Sequence, residues 1–172
     1  IVCSEGDCCA CSGLVGRTRD GRLEYQAVDS CILFVFQLEG THVVSVEGLQ
    51  QNDQLAPVQQ AMVDCHGSQC GFCTPGFVTT MTGLLENRPQ LEDADMRAGL
   101  TGNLCRCTGY TSILDSGRAV DTNEHRRLEE LYPSAEMVAD FEQHADDAIA
   151  LRHESEQQQH EICLPKTLPD AL

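Results

Sequence analysis

Basic residues are scarce in this chain. Its 172 residues hold 11 Lys+Arg against 27 Asp+Glu, a formal charge of -16 and a pI near 4.5, a balance that repels polyanions and argues against a nucleic-acid partner. Long apolar runs are also missing. With 41% hydrophobic residues but no continuous stretch of them, there is no candidate for a membrane span, and a soluble, cytoplasmic protein is expected. The start, Ile1-Val2-Cys3, lacks a Met, a charged n-region and an h-region, so neither a signal peptide nor a natural translation start is visible, and the sequence reads as a fragment. No solenoid-type repeat is present either. The length suits one domain or two small ones.

What the chain has in abundance is cysteine, at positions 3, 8, 9, 11, 31, 65, 70, 73, 105, 107 and 163. The odd number weakens a complete disulfide pairing, and eight of these residues sort into two sets of four with short, metal-like spacings. Without a secretory signal, reduced thiolates holding metal are a better expectation than a disulfide scaffold.

The chain around them falls into segments. Residues 1–49 read as turns and short strands: Leu14-Val15, a polar turn over Arg17 to Gly21, alternating Leu23, Tyr25 and Ala27, and His42 to Val46 after Gly40. From Leu55 the apolar period becomes helical, with Leu55, Val58, Met62 and Cys65 on one face and Phe77, Met81, Leu84 and Leu85 on another. Met96 and Leu100 mark a third helix, and Tyr110, Ile113, Leu114 and Gly117 a fourth. Four short helices over 50–120 predict a helical bundle, so the fold class is α+β. Residues 121–163 turn acidic and Gln-rich and read as a linker, partly helical, with Met137, Phe141 and Ile149 as scattered anchors. Apolar residues return over 164–172, where a further segment is expected to begin.

Cys3, Cys8 and Cys11 form Cys-x4-Cys-x2-Cys, with Cys31 within reach of a hairpin. This is the plant-type ferredoxin spacing for a 2Fe-2S cluster, and Gly6, Ala10, Ser12 and Gly13 are small enough to let backbone N–H groups approach the sulfurs. A zinc loop is the alternative, although structural zinc sites usually pair two Cys-x2-4-Cys knuckles. The second set is Cys70-x2-Cys73 with Cys105-x-Cys107. Zinc could use the first of these pairs. The second pair is tighter than a zinc knuckle, whereas a 2Fe-2S core takes four thiolates.

Thr74-Pro75 reads as an N-cap followed by Pro at the first helical position, and Thr108-Gly109 precedes the fourth helix, which puts both pairs at helix N-termini. The positive dipole ends would stabilise a cluster that goes from -2 to -3 on reduction. Two such clusters would change the net charge from -16 to about -20, since each adds +2 - 4 = -2.

The stretch from Pro57 through Cys65-His66-Gly67-Ser68-Gln69-Cys70-Gly71-Phe72-Cys73-Thr74-Pro75-Gly76-Phe77, followed by Gly102-Asn103-Leu104-Cys105-Arg106-Cys107-Thr108-Gly109-Tyr110, resembles the iron-sulfur part of the xanthine dehydrogenase and molybdenum hydroxylase family. The likeness is greatest to the small subunit found in bacterial xanthine dehydrogenases, and it covers roughly residues 1–120. It implies an oxidoreductase in which a molybdenum-pterin centre on another subunit or domain hydroxylates a purine or aldehyde. Electrons then pass through two 2Fe-2S clusters to FAD and on to NAD. The hydroxylation site would lie outside this chain.

By motif matching, Cys3, Cys8, Cys11 and Cys31 would ligate a ferredoxin-type cluster in a domain over 1–49 that lacks its N-terminal part. Cys70, Cys73, Cys105 and Cys107 would ligate a second cluster in the helical domain over 50–120. Gln69 matches the family glutamine that hydrogen-bonds the pterin, and Cys107 the ligand nearest the pterin amino group. Residues 164–172 would open an FAD-binding domain.

Other residues near these motifs have simpler readings. His66 reads as a structural hydrogen-bonding residue, Cys65 as a buried small hydrophobe, Cys163 as an incidental thiol, and the acidic stretch as solvated surface. The chain departs from the family at Cys9, where Gly is typical, and a positive φ would strain the backbone there. Cys9 could also compete as a ligand. Ala56 replaces a common His before Pro57. A sheet without its first strands also predicts a labile first cluster.

Overall fold

In the computed structural model, which describes residues 2–50, 52–88, 92–154 and 158–169, the chain first forms a hairpin of β1 (Ser12–Arg19) and β2 (Arg22–Asp29). Asp20 and Gly21, both at positive φ (50° and 73°), make the two-residue turn whose twist matches the strands. That turn fixes the register from Arg19↔Arg22 back to Ser12↔Asp29. The polar turn anticipated over Arg17 to Gly21 is therefore confined to its last two residues. β3 (Thr41–Val44) pairs with the other edge of β1, giving an antiparallel sheet of order β2-β1-β3. Gly16 sits opposite Tyr25, and a Cβ there would come within 2.7 Å of the tyrosine ring. The missing side chain lets Tyr25 lie across β1, where its hydroxyl meets His42 Nδ1 at 2.7 Å.

Four helices follow: α1 (Pro57–Asp64), α2 (Thr74–Asn87), α3 (Asp93–Gly99) and α4 (Thr111–Ala119). α2 buries Phe77, Val78, Met81 and Leu85 and packs against β1, β2, α1 and α3. Sheet and helices share one core, in which Leu14, Tyr25 and Val44 join Phe77, Met81 and Ile113. Each of these side chains contributes about 1.5–3 kcal/mol by leaving water. Leu55, expected on the first helical face, precedes α1 and is exposed. His66, at φ 54°, takes the left-handed position after α1 while Gly67 N–H returns to Met62 O at 2.9 Å. It therefore terminates the helix through its backbone.

The segment read as a linker contains α5 (Leu128–Leu131), α6 (Ala135–Gln143) and a hairpin of β4 (Ile149–Glu154) and β5 (Gln159–Leu164). Leu128 and Val138 enter the core. Glu86 holds the segment in place, its Oε1 accepting from Leu128 N–H at 2.9 Å and its carbonyl from Arg127 Nη2 at 2.8 Å. Sparse apolar anchors are enough because α5 and α6 each need only one buried face. Residues 155–157 of the acidic stretch and 170–172 of the final segment lie outside the described residues. The chain is thus a mixed α/β protein, with a small sheet against helices. Among the described residues no helix is long and apolar enough to cross a membrane.

Candidate metal centres

All eleven cysteines are free thiols. The loop ahead of β1 turns through positive φ at Ser4 (63°), Gly6 (74°) and Cys9 (53°), which coils it so that N–H groups face sulfur. Backbone N–H groups of Glu5, Cys8 and Asp7 converge on the Cys3 thiol and, with the Cys8 thiol, bring it down to about 6. Cys31 arrives from the 3-10 turn Ser30–Ile32 at the end of β2. Its N–H donates to Cys11 Sγ at 3.3 Å, and Ser30 Oγ donates to the Cys11 carbonyl at 2.8 Å. Burial alone would raise Cys11, but the Cys31 N–H, the Cys31 thiol and Ser30 outweigh it and leave Cys11 below its ordinary value. Sharing that proton with Cys11 pushes Cys31 up, opposed by the Gly6 N–H.

The second set is built on helix entries. Cys73 itself occupies the N-cap of α2, with Thr74 the first helical residue and Pro75 in the first turn, one position earlier than the sequence signal suggested. Cys105 and Cys107 lie in the loop before α4. Cys107 Sγ donates to Cys70 Sγ at 3.5 Å. The Phe72 N–H and this shared proton lower Cys70, while Cys107 rises. Burial, then a hydrogen bond to Cys105, pushes Cys73 up to about 12. At Cys105 burial is outweighed by Thr108, whose Oγ1 lies 3.2 Å from the sulfur, by backbone N–H groups and by Cys73, so the thiol falls below its usual value.

Tyr110, not Thr108, is the residue before α4. It stands at φ 70°, unusual for a bulky side chain and costing ~1–2 kcal/mol. In that conformation its hydroxyl accepts the Cys105 N–H at 3.0 Å and its own N–H donates to Thr108 Oγ1 at 3.1 Å. Its ring meets the buried Phe77 edge-on, with centroids 6.3 Å apart.

Within each set the thiols neighbour one another in pairs: Cys107 donates to Cys70, the Cys31 N–H reaches Cys11 Sγ, and the Cys3 and Cys73 thiols respond to Cys8 and Cys105 respectively. A 2Fe-2S core takes two thiolates at each iron, so two pairs per set fit its donor requirement. N–H groups aimed at sulfur supply the hydrogen bonds that tune such a core. Among the described residues no three His, Cys, Asp or Glu side chains surround one point closely enough to hold a single metal ion.

The two loops interlock. Leu104 N–H donates to the Cys8 carbonyl at 3.1 Å, and a Cβ on Gly76 would lie 2.0 Å from the Cys9 carbonyl oxygen. A cleft of about 360 Å³ is lined by Cys8 together with Cys70, Cys73, Cys105 and Cys107.

Cys9 does stand at positive φ, as its place in the motif required. Its thiol donates to Asp29 Oδ2 at 3.3 Å; burial first, then Asp29, pushes it up to about 11. Gln69 is exposed beside Cys70. Cys65 is half-buried at the end of α1 and Cys163 is exposed on β5. At Ala56, Gln59 Oε1 accepts the backbone N–H at 2.8 Å while Gln59 Nε2 donates to Val46 O at 2.9 Å, so this region is tied without a histidine. The sequence assigns no role to Asp29, and it gives Gly76, Leu104 and Tyr110 only as parts of the motif stretches and, for Tyr110, of the fourth helix. Asp29 could have been reached by counting strand pairs back from Asp20-Gly21.

Comparison with known proteins places these features in a family. Residues 45–118 match the 2Fe-2S binding domain family. The chain is 44% identical over 118 residues to xanthine dehydrogenase of Calliphora vicina, covering 67% of this chain and 9% of that protein. It is 39% identical over 126 residues to aldehyde oxidase 4 of Cavia porcellus, covering 72% and 9%. Among solved structures, it is similar to quinoline 2-oxidoreductase from Pseudomonas putida 86, at 32% identity and a TM-score of 0.61, over 79% of this chain and 74% of that one. The chain spans about a tenth of the length of the curated relatives it matches. These matches place it in the xanthine dehydrogenase and molybdenum hydroxylase family, with a 2Fe-2S binding domain over residues 45–118.

Proposed function

We propose that this chain is the electron relay of a xanthine dehydrogenase-type hydroxylase of purines, carrying electrons singly from a molybdenum-pterin centre to FAD through two 2Fe-2S clusters. The observation that carries the reading is the gathering of each four-cysteine motif from separate segments, with the Cys31 N–H on Cys11 Sγ at 3.3 Å and Cys107 Sγ on Cys70 Sγ at 3.5 Å, in a chain whose residues 45–118 match the 2Fe-2S binding domain family. Cys3, Cys8, Cys11 and Cys31 hold one core, and Cys70, Cys73, Cys105 and Cys107 hold the other. A 2Fe-2S core, when bound, supplies reversible one-electron storage. The chain supplies the thiolates, the N–H groups that stabilise added negative charge, and the contact between loops. The hydrogen bond from Leu104 N–H to the Cys8 carbonyl joins a ligand of one core to the neighbour of a ligand of the other.

In this reading residues 1–49 are the later part of a plant-type ferredoxin fold and 50–120 a four-helix bundle. Residues 121–163 connect them to an FAD-binding domain that opens over 164–172. Gln69, exposed beside Cys70, hydrogen-bonds the pterin, and Cys107 is the ligand nearest to it. The partners are a molybdenum-pterin subunit or domain and the FAD-binding domain, in a cytoplasmic enzyme. A second reading, the iron-sulfur part of an aldehyde oxidoreductase or carbon monoxide dehydrogenase, draws on the similarity to aldehyde oxidoreductase from Desulfovibrio gigas, 32% identical with a TM-score of 0.62.

Optical absorption tests the relay. A red-brown protein that bleaches with dithionite and recovers its colour on reoxidation is expected. A colourless protein carrying zinc, which would make the chain a zinc-stabilised interaction module, would overturn the proposal.

A further inference from the structure

The first ligand loop contains four cysteines, Cys3, Cys8, Cys9 and Cys11, and Cys31 joins them from the end of β2, one thiol more than a core takes. A core that takes four must be denied the fifth. Cys9 is the one whose thiol is held by a carboxylate, its Sγ donating to Asp29 Oδ2 at 3.3 Å. The other oxygen of Asp29 is fixed as well, accepting from Ser12 Oγ at 2.9 Å. Ser12, which is buried, ties the same turn: its N–H reaches the Cys9 carbonyl at 3.2 Å, and its one hydroxyl proton is shared between Asp29 Oδ1 and that carbonyl, 2.8 Å away.

Ser12 is held in turn by α2, where Thr79 Oγ1, fully buried, donates to the Ser12 carbonyl at 2.9 Å. The strand register supplies the geometry, because Ser12 and Asp29 are directly paired at the open end of the hairpin. On its other side the Cys9 sulfur meets the backbone of the second ligand loop, where a Cβ on Gly102 would sit 3.1 Å away. The sulfur thus lies close to both the Asp29 carboxylate and the neighbouring loop.

We infer that Asp29 is a positioning residue that holds the Cys9 thiol in the seam between the two loops and so keeps it out of the ligand set of the first cluster. This rests on the ligand reading given under Proposed function. A sulfur held against Asp29 Oδ2 at 3.3 Å is not free to turn toward the ligand set, so the two placements exclude each other. Without the carboxylate, Cys9 would compete with its neighbours Cys8 and Cys11 and the first cluster would become a mixture of ligation states.

The test is EPR of the dithionite-reduced intact enzyme, with iron content, for the wild type and for Asp29→Ala, Cys9→Gly and the double variant. Wild type and Cys9→Gly are each expected to give a single set of g values for the first cluster, since glycine suits the positive φ at this position. Asp29→Ala should split that set in two or diminish it, and adding Cys9→Gly should restore one set. Asp29→Asn, which keeps an acceptor oxygen, should retain one set. An Asp29→Ala enzyme with an unchanged single signal would overturn the inference. So would a double variant as disturbed as Asp29→Ala, because Asp29 would then act on the fold alone. A wild type lacking one cluster signal would show failure of the ligand reading itself, before any variant is compared.

Discussion

The first thiol set is carried by a coiled loop and the end of a strand, the second by the entry to one helix and the loop before another. In the first, the chain must pass through positive φ at Ser4, Gly6 and Cys9, and the nearby residues Ile32, Phe34 and Val35 remain exposed. In the second, Cys73 caps α2, whose next turn buries Phe77, and the Cys105 loop leads into α4, where Ile113 is fully buried. Both sets gather four thiols from separate segments, yet the second is anchored in the core and the first leans on a small sheet. The difference teaches that two thiol sets of similar spacing can differ in how firmly the fold anchors them. The first cluster should therefore leave sooner under oxygen or mild denaturant.

The sharpest way to break this comparison is to remove one ligand at a time. Cys11→Ser should abolish the first cluster's EPR signal and spare the second, and Cys73→Ser the reverse; loss of both signals from either variant would show that the sites do not assemble independently. Next in size is Phe77→Ala, expected to cost about 3–5 kcal/mol and to lower the thermal midpoint along with retention of the second cluster. A smaller effect is expected from Gly76→Ala. Its Cβ would strike the Cys9 carbonyl, 2.0 Å away, and a backbone clash of this kind costs about 1–3 kcal/mol. Because the strain falls on the opposite loop, iron loss should appear first in the first cluster, although residue 76 lies beside the second.

Gln69→Ala should leave both clusters and the melting curve unchanged but slow their reduction by substrate in the assembled enzyme; unchanged stopped-flow rates would remove Gln69 from the path. The smallest effect belongs to His144, at the end of α6. A hydrogen bond to Asp147, at 2.7 Å, raises the His144 pKa. Its stabilisation is complete below the ordinary histidine value and is lost as pH rises through the raised one. His144→Ala should therefore narrow its stability gap to wild type between pH 5.5 and pH 8, as followed by denaturant unfolding.

Much of the site was legible because ligand spacing is a local property: Cys3 to Cys11 and Cys70 to Cys73 are fixed by loop geometry alone. Which thiol pairs with which was not, since Cys70 meets Cys107 only after α2 and α3 have turned the chain back. The hairpin and the helix periods were legible for the same local reason. The cap of α2 was misplaced by one residue because Thr and Pro are the usual signals, whereas Cys73 takes that place here. The left-handed Tyr110 had no signal, since its conformation is set by hydrogen bonds to Cys105 and Thr108. α5 and α6 were legible only as a partly helical stretch, because the acidic composition leaves few anchors: Leu128 and Val138 enter the core, and Met137 and Phe141 pack against it.

The most direct test of the central claim is the iron and acid-labile sulfide content of the chain purified without oxygen, with an EPR spectrum after dithionite reduction. The account predicts roughly four irons, four sulfides and two distinct rhombic signals; stoichiometric zinc with no sulfide and no signal would contradict it.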